Sequence, residues 1–108
     1  MPAALGDLDL MVLLALLQLG DEGYGVMVQR EITERTGHAP ALGAIYAALA
    51  RLEGQGLVGS RIGPPTPVRG GRRKKLYEVR PAGRLAVREA WGALRALSHG
   101  LAARLNLS

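Results

Sequence analysis

Polar positions are almost absent from the start of the chain. Between Leu5 and Leu19 only Gly6, Asp7, Asp9 and Gln18 interrupt an apolar run. A helix that is apolar nearly all round must be covered on most faces, including faces that one small domain has trouble covering. Gly20 to Gly23 then turns the chain. Tyr24, Val28 and Ile32 recur every four residues and predict an amphipathic second helix ending at Gly37. After the break His38-Ala39-Pro40, the 3-4-3 spacing of Leu42, Ile45, Leu49 and Leu52 predicts a third helix over about 41–54, closed by Gly54 and Gly56. Three short helices with tight turns form a helix-turn-helix core.

The period changes after Gly56. Val58, Ser60 and Ile62 alternate with Gly59 and Arg61, and Lys75, Tyr77 and Val79 alternate with Leu76 and Glu78, each the pattern of a half-buried strand. The prolines and glycines between them forbid regular structure, so the segment reads as a hairpin with a long tip over about 63–75. Pro81 opens a final helix, where its missing N–H has no partner to lose. Val87, Trp91, Leu94, Ser98, Leu101 and Leu105 follow a 4-3-4-3-4 heptad seam, widened by Ala90 and Leu97. That seam either seeks a second chain or folds back on the first helix, and pairing of two chains is the expectation. Leu8 and Val12 of the first helix, with Val87, Trp91, Leu94, Leu101 and Leu105, form the expected dimer surface. The fold class is mainly α with a small β-hairpin. It reads as a winged helix-turn-helix over residues 1–80 and a dimerisation helix over 81–108.

Charge sharpens this picture. The 108 residues carry a net charge of +5, yet Arg61 to Arg80 alone holds seven basic residues against one acid, and the rest is nearly neutral. A basic appendage on a neutral body suits a polyanion. There is no Phe and only one Trp, so the core rests on Leu, Val, Ile and Ala. Cysteine is absent, which excludes disulfides and thiolate-metal sites. The apolar run Leu8 to Leu17 is too short to span a bilayer, and a soluble, cytoplasmic protein is expected. His38 and His99 are far apart, with no spaced carboxylates to complete a metal site and no nucleophile constellation or phosphate loop. An enzyme is not expected, and neither is a metal or a cofactor.

Several short stretches follow one another in a definite order between about Leu5 and Trp91. They are Tyr24-Gly25, then Gly43-Ala44-Ile45-Tyr46-Ala47-Ala48-Leu49, then Arg51-Leu52-Glu53 leading to Gly56-Leu57-Val58. Gly70-Gly71-Arg72-Arg73-Lys74-Lys75-Leu76-Tyr77 and Pro81-Ala82-Gly83 continue the series. In their order and spacing these stretches resemble the PadR-like transcriptional regulators, and the resemblance implies a homodimeric DNA-binding regulator, usually a repressor, paired through its terminal helix. It also implies that a small aromatic or drug-like effector acts on some relatives. Two positions depart from the pattern: Ala41 and Arg80 stand where relatives often have a capping Ser or Thr. Each loses a cap worth about 1 kcal/mol where nothing replaces it.

On double-stranded DNA the third helix would enter the major groove, presenting Gly43, Ala44, Tyr46, Ala47, Ala50 and Arg51. Only Tyr46 and Arg51 carry hydrogen-bonding groups there, so direct base readout is sparse. Tyr46 has two open roles, packing its ring or touching DNA. Arg69, Arg72, Arg73, Lys74 and Lys75 of the wing are expected on phosphates or in the minor groove. Trp91 on the seam either packs in a core or forms an aromatic wall for a flat ligand. Arg88, Glu89 and Arg95 are expected to be solvated or to pair between chains. The competing function is a winged-helix module that binds an acidic protein or RNA and has no operator.

Overall fold

The computed structural model describes residues 5–63 and 74–106. Its elements are α1 (Asp7–Leu19), a single 3-10 turn (Gly20–Glu22), α2 (Gly25–Thr36), α3 (Leu42–Gly54), β1 (Val58–Ile62), β2 (Lys75–Val79) and α4 (Pro81–Ser98). The first two helices end on glycines that turn the chain. Gly20 (φ 58°) follows α1, and Gly37 (φ 77°) donates its N–H to the Thr33 carbonyl at 2.9 Å to close α2. Both adopt the positive φ that a Cβ makes costly. Ala41 and Arg80 stand at the N-caps of α3 and α4 with no side-chain cap bond, and Pro81 occupies the first turn of α4.

The three helices wrap one core. Val12, Leu13, Val28, Ile45, Leu49, Leu52 and Val58 are closed to solvent or nearly so. Gln29 Nε2 donates to the Pro40 carbonyl at 2.8 Å and ties α2 to the turn that launches α3. β1 and β2 pair antiparallel with Val58 opposite Val79, Ser60 opposite Tyr77 and Ile62 opposite Lys75. A bridge between Tyr24 and Leu76, and the Tyr77 N–H on the Gly23 carbonyl at 2.9 Å, fasten the far edge of β2 to the start of α2. The result is the winged helix-turn-helix arrangement, with α4 laid against α1 and β2.

Four details differ from the sequence pattern. Leu76 and Tyr77 are both buried although they point to opposite faces, because the Gly23–Tyr24 crossing and Gly63 close over Leu76. Ile62, at the outer end of β1, is 59% exposed although the alternation places it on the same face as buried Val58. Val12 is fully buried within the protomer and has no surface to offer a second chain, while Leu8 is partly buried against the same core. The seam on α4 stops at Ser98, where His99 leaves the helix and Gly100 takes φ 82°. Leu101 and Leu105 therefore lie on a following turn, and the continuous heptad through Leu105 does not form. Val87 is half-buried, whereas Trp91, Leu94 and Leu97 project outward.

Candidate nucleic-acid interface

On α3, residues advance about 100° each, which separates its faces cleanly. Ile45, Ala48, Leu49 and Leu52 are buried on one side, and Gly43, Ala47, Ala50 and Gly54 are exposed on the other. The outward ridge is thus smooth, built only of glycine and alanine. Ala44 is also exposed, beside that ridge. The larger side chains of α3 are turned to its flanks.

On one flank Arg51 faces α1. Its Nη2 is 2.7 Å from Asp9 Oδ1 and its Nε is 3.3 Å from Oδ2. Arg51 was expected to face outward with the ridge, so this orientation is a correction, and its cause lies in α1. Asp9 is 8% exposed, and a carboxylate so nearly buried requires a cation and hydrogen bonds. The hydrogen bond to Asp9, and then its charge, push the Arg51 guanidinium above its ordinary value. Its side chain nevertheless stays half exposed.

On the other flank stand Tyr46 and Glu53. Tyr46 lies against Gly25, where a Cβ would fall 2.5–2.8 Å from Cε1, Cζ and Oη, yet 43% of the residue is exposed. Glu53 accepts a hydrogen bond from the Ser60 hydroxyl and lies 3.4 Å from Lys75 Nζ. The Ser60 hydrogen bond leads in holding its carboxyl below the ordinary range, helped by Lys75 and Arg80 against partial desolvation. Lys75, expected on DNA, is occupied by this pair and lies 5.4 Å from the Tyr77 ring centre. Its ammonium is raised first by electrostatic attraction to the Tyr77 side-chain oxygen and then by Glu53. Lys74 leans over Tyr24 at 5.2 Å. Arg69, Arg72 and Arg73 lie outside the described residues.

In the sequence alone Asp9, Gln29, Glu53 and Ser60 have no role at the site and no partners. Their partners are as much as 42 residues away, and no local periodicity reports such pairs. Trp91 is 58% exposed, which removes the reading of it as core within one protomer. Arg88, Glu89 and Arg95 are also exposed. An apolar cleft of about 230 Å³ lies between α1 and α2, lined by Met11, Leu14, Ala15 and Ile32 and rimmed by Glu31 and Arg35. Among the described residues no three His, Cys, Asp or Glu gather as metal ligands, and no helix is long and apolar enough to cross a membrane.

The profile of the transcriptional regulator PadR-like family matches residues 13–89, from the core of α1 into α4. The chain belongs to this family. Among solved structures, a PadR family transcription regulator from Clostridium difficile is 25% identical, covering 93% of this chain and 99% of that one with a TM-score of 0.75. A PadR family regulator from Eggerthella lenta is 26% identical, covering 91% and 83% with a TM-score of 0.66. BpsR of Bordetella bronchiseptica, whose DNA binding is regulated by 6-hydroxynicotinic acid, is 24% identical, covering 94% and 71% with a TM-score of 0.65. No curated protein matches the chain. Membership makes this PadR-like chain a transcriptional regulator with a winged helix-turn-helix, and not an enzyme.

Proposed function

We propose that the chain is a homodimeric repressor that holds duplex operator DNA with α3 in the major groove and the wing on the adjoining backbone. The observation that carries this reading is the exposed Gly43-Ala47-Ala50-Gly54 ridge of α3 beside a strongly basic hairpin. So smooth a ridge permits close approach to the groove floor and offers apolar contact to thymine methyl groups. It reads few bases directly, so phosphate contacts and DNA shape supply most of the affinity. In this division residues 1–80 hold DNA and residues 81–108 pair the protomers. Trp91, Leu94 and Leu97, at 58%, 54% and 80% exposed, support the second part, because a lone soluble chain gains nothing by showing them together.

Binding to the DNA upstream of the chain's own gene, across a salt series with nonspecific competitor, tests this function. Four phosphates neutralised per protomer give a slope of log affinity against log salt near −7, and a slope shallower than about −3 would refute the wing's role. Half-sites should lie about one helical turn apart. A protein-interaction module would show tight binding to a protein and no such spacing.

The reading extends to a small planar aromatic effector that meets Trp91 between paired protomers. The regulation of BpsR by 6-hydroxynicotinic acid supports it, as does the exposure of the one tryptophan. Quenching of Trp91 fluorescence across a panel of aromatic compounds tests it, and no response anywhere in the panel removes the effector from the proposal.

A further inference from the structure

The hairpin is anchored unevenly along its length. At its base Val58 and Tyr77 are buried; toward its outer end Arg61 and Ile62 of β1 are exposed, while Leu76 of β2 is buried beside its bridge to Tyr24. The register sets Val58, Ser60 and Ile62 across from Val79, Tyr77 and Lys75, so these six share one face. Among the described residues, the side-chain hydrogen bonds and ion pair between that face and α3 all run to one carboxylate, Glu53. The Ser60 hydroxyl donates to Glu53 Oε2, and Lys75 Nζ lies 3.4 Å from Oε1, so each oxygen takes one strand. Arg80, between β2 and α4, adds its positive charge from where its guanidinium covers Gly59.

A two-stranded ribbon has little stability of its own. Its direction is therefore set by its contacts with the body, and a small rotation at the base grows with distance toward the tip. We propose that Glu53 is a positioning residue for DNA binding, fixing the angle between the recognition helix and the wing so that both meet one duplex at once. This rests on the DNA-binding function proposed above. Glu53 itself touches no DNA in this arrangement. It acts through Ser60 and Lys75, and its ionised form, favoured chiefly by the Ser60 hydroxyl, keeps both strands engaged at neutral pH. Lys75 is thus a strut of the wing as well as one of its cations.

The test compares the full chain with Glu53→Ala, Glu53→Gln and Ser60→Ala. Glu53→Ala should bind duplex DNA about tenfold more weakly, with a salt slope shallower by about 2 or more as wing phosphates are lost. Glu53→Gln, which still accepts from Ser60 but carries no charge, should fall between it and the wild type. Hydrogen exchange on the DNA-free chain gives a second reading. In Glu53→Ala the amides of Ser60–Ile62 should exchange faster while those of Val28 and Leu49 stay unchanged. Unchanged slope and unchanged strand exchange would overturn the proposal. Uniformly faster exchange throughout the chain would also overturn it, by assigning Glu53 to general stability. A wild type that ignores duplex DNA would refute the proposed function instead, and strand exchange would then decide alone whether Glu53 holds the wing.

Discussion

Helix α4 carries two glycines in opposite surroundings, and the same substitution should have opposite signs at the two. A Cβ built at Gly83 lies 2.7 Å from Val79 Cγ1 and closer still to the Leu57 carbonyl oxygen, whereas at Gly92 it meets nothing within 4 Å. Ordinary carbon contacts sit at about 3.5–4.0 Å, so alanine at 83 forces α4 to retreat roughly 1 Å from the hairpin base. The Leu57 carbonyl is not free to swing aside, because it accepts the Arg80 N–H at 2.9 Å. Overpacking of this kind costs about 1–3 kcal/mol, and exchanging glycine for alanine in a helix returns at most about 1 kcal/mol. Gly83→Ala should therefore lose up to about 2 kcal/mol even with the full helix return, while Gly92→Ala should gain up to about 1 kcal/mol. For a chain of this size the two melting temperatures should differ by roughly 10 °C. Thermal melts followed by circular dichroism at matched protein concentrations measure this, since association shifts the midpoint. A Gly83→Ala chain melting at or above the wild type would refute the packing argument.

Leu49→Ala empties a fully buried site in the middle of α3 and should cost about 2–5 kcal/mol in urea unfolding, with a loss below about 1 kcal/mol counting against the core described here. Trp91→Ala should change protomer stability by less than about 0.5 kcal/mol yet, if the proposed dimer forms, shift sedimentation toward the monomer; an unchanged distribution would remove Trp91 from the proposed dimer surface. Because the carboxyl of Glu53 is lowered in the folded chain, its stabilisation is complete at neutral pH and is lost as pH falls from the ordinary glutamate range through the lowered value. Glu53→Gln should flatten the acid limb of the stability curve below roughly pH 4.5, and superimposable limbs would show that the Ser60 and Lys75 contacts are not linked to its charge.

The two strands of the hairpin were legible in the sequence, since Val58–Ile62 and Lys75–Val79 are the segments that alternation marks out. The burial of Leu76 and the exposure of Ile62 were not, and most of the expected tip lies outside the described residues. Helix ends were legible wherever glycine closes them, as at Gly20 and Gly37. The rotation of α1 was not, because a helix with leucine on every side gives no sign of which face turns inward. Val12 was thus set on a surface, while Met11 and Leu14, at 37% and 42% exposed, are the residues that reach it. The heptad seam misled in a different way. Its spacing ran on past Gly100, a residue whose backbone freedom ends the helix more strongly than two further leucines extend it. The bland outward face of α3 was readable from its alanines. The pairs that hold its flanks, Asp9 with Arg51 and Glu53 with Ser60, arise only when distant segments meet.

Only Arg80 separates the last residue of β2 from the first of α4. Its backbone is extended (φ −83°, ψ 167°), its N–H is bonded to Leu57, its carbonyl accepts the Arg84 N–H, and the next φ is locked by a proline ring. Such a joint has almost no torsional slack. In a paired molecule, a twist applied at the helices would arrive at the hairpin undamped. The rotational phase between two operator half-sites would then act as a gauge of how the protomers are paired. Inserting base pairs between half-sites should be tolerated far less than in regulators whose reading heads hang on flexible tethers.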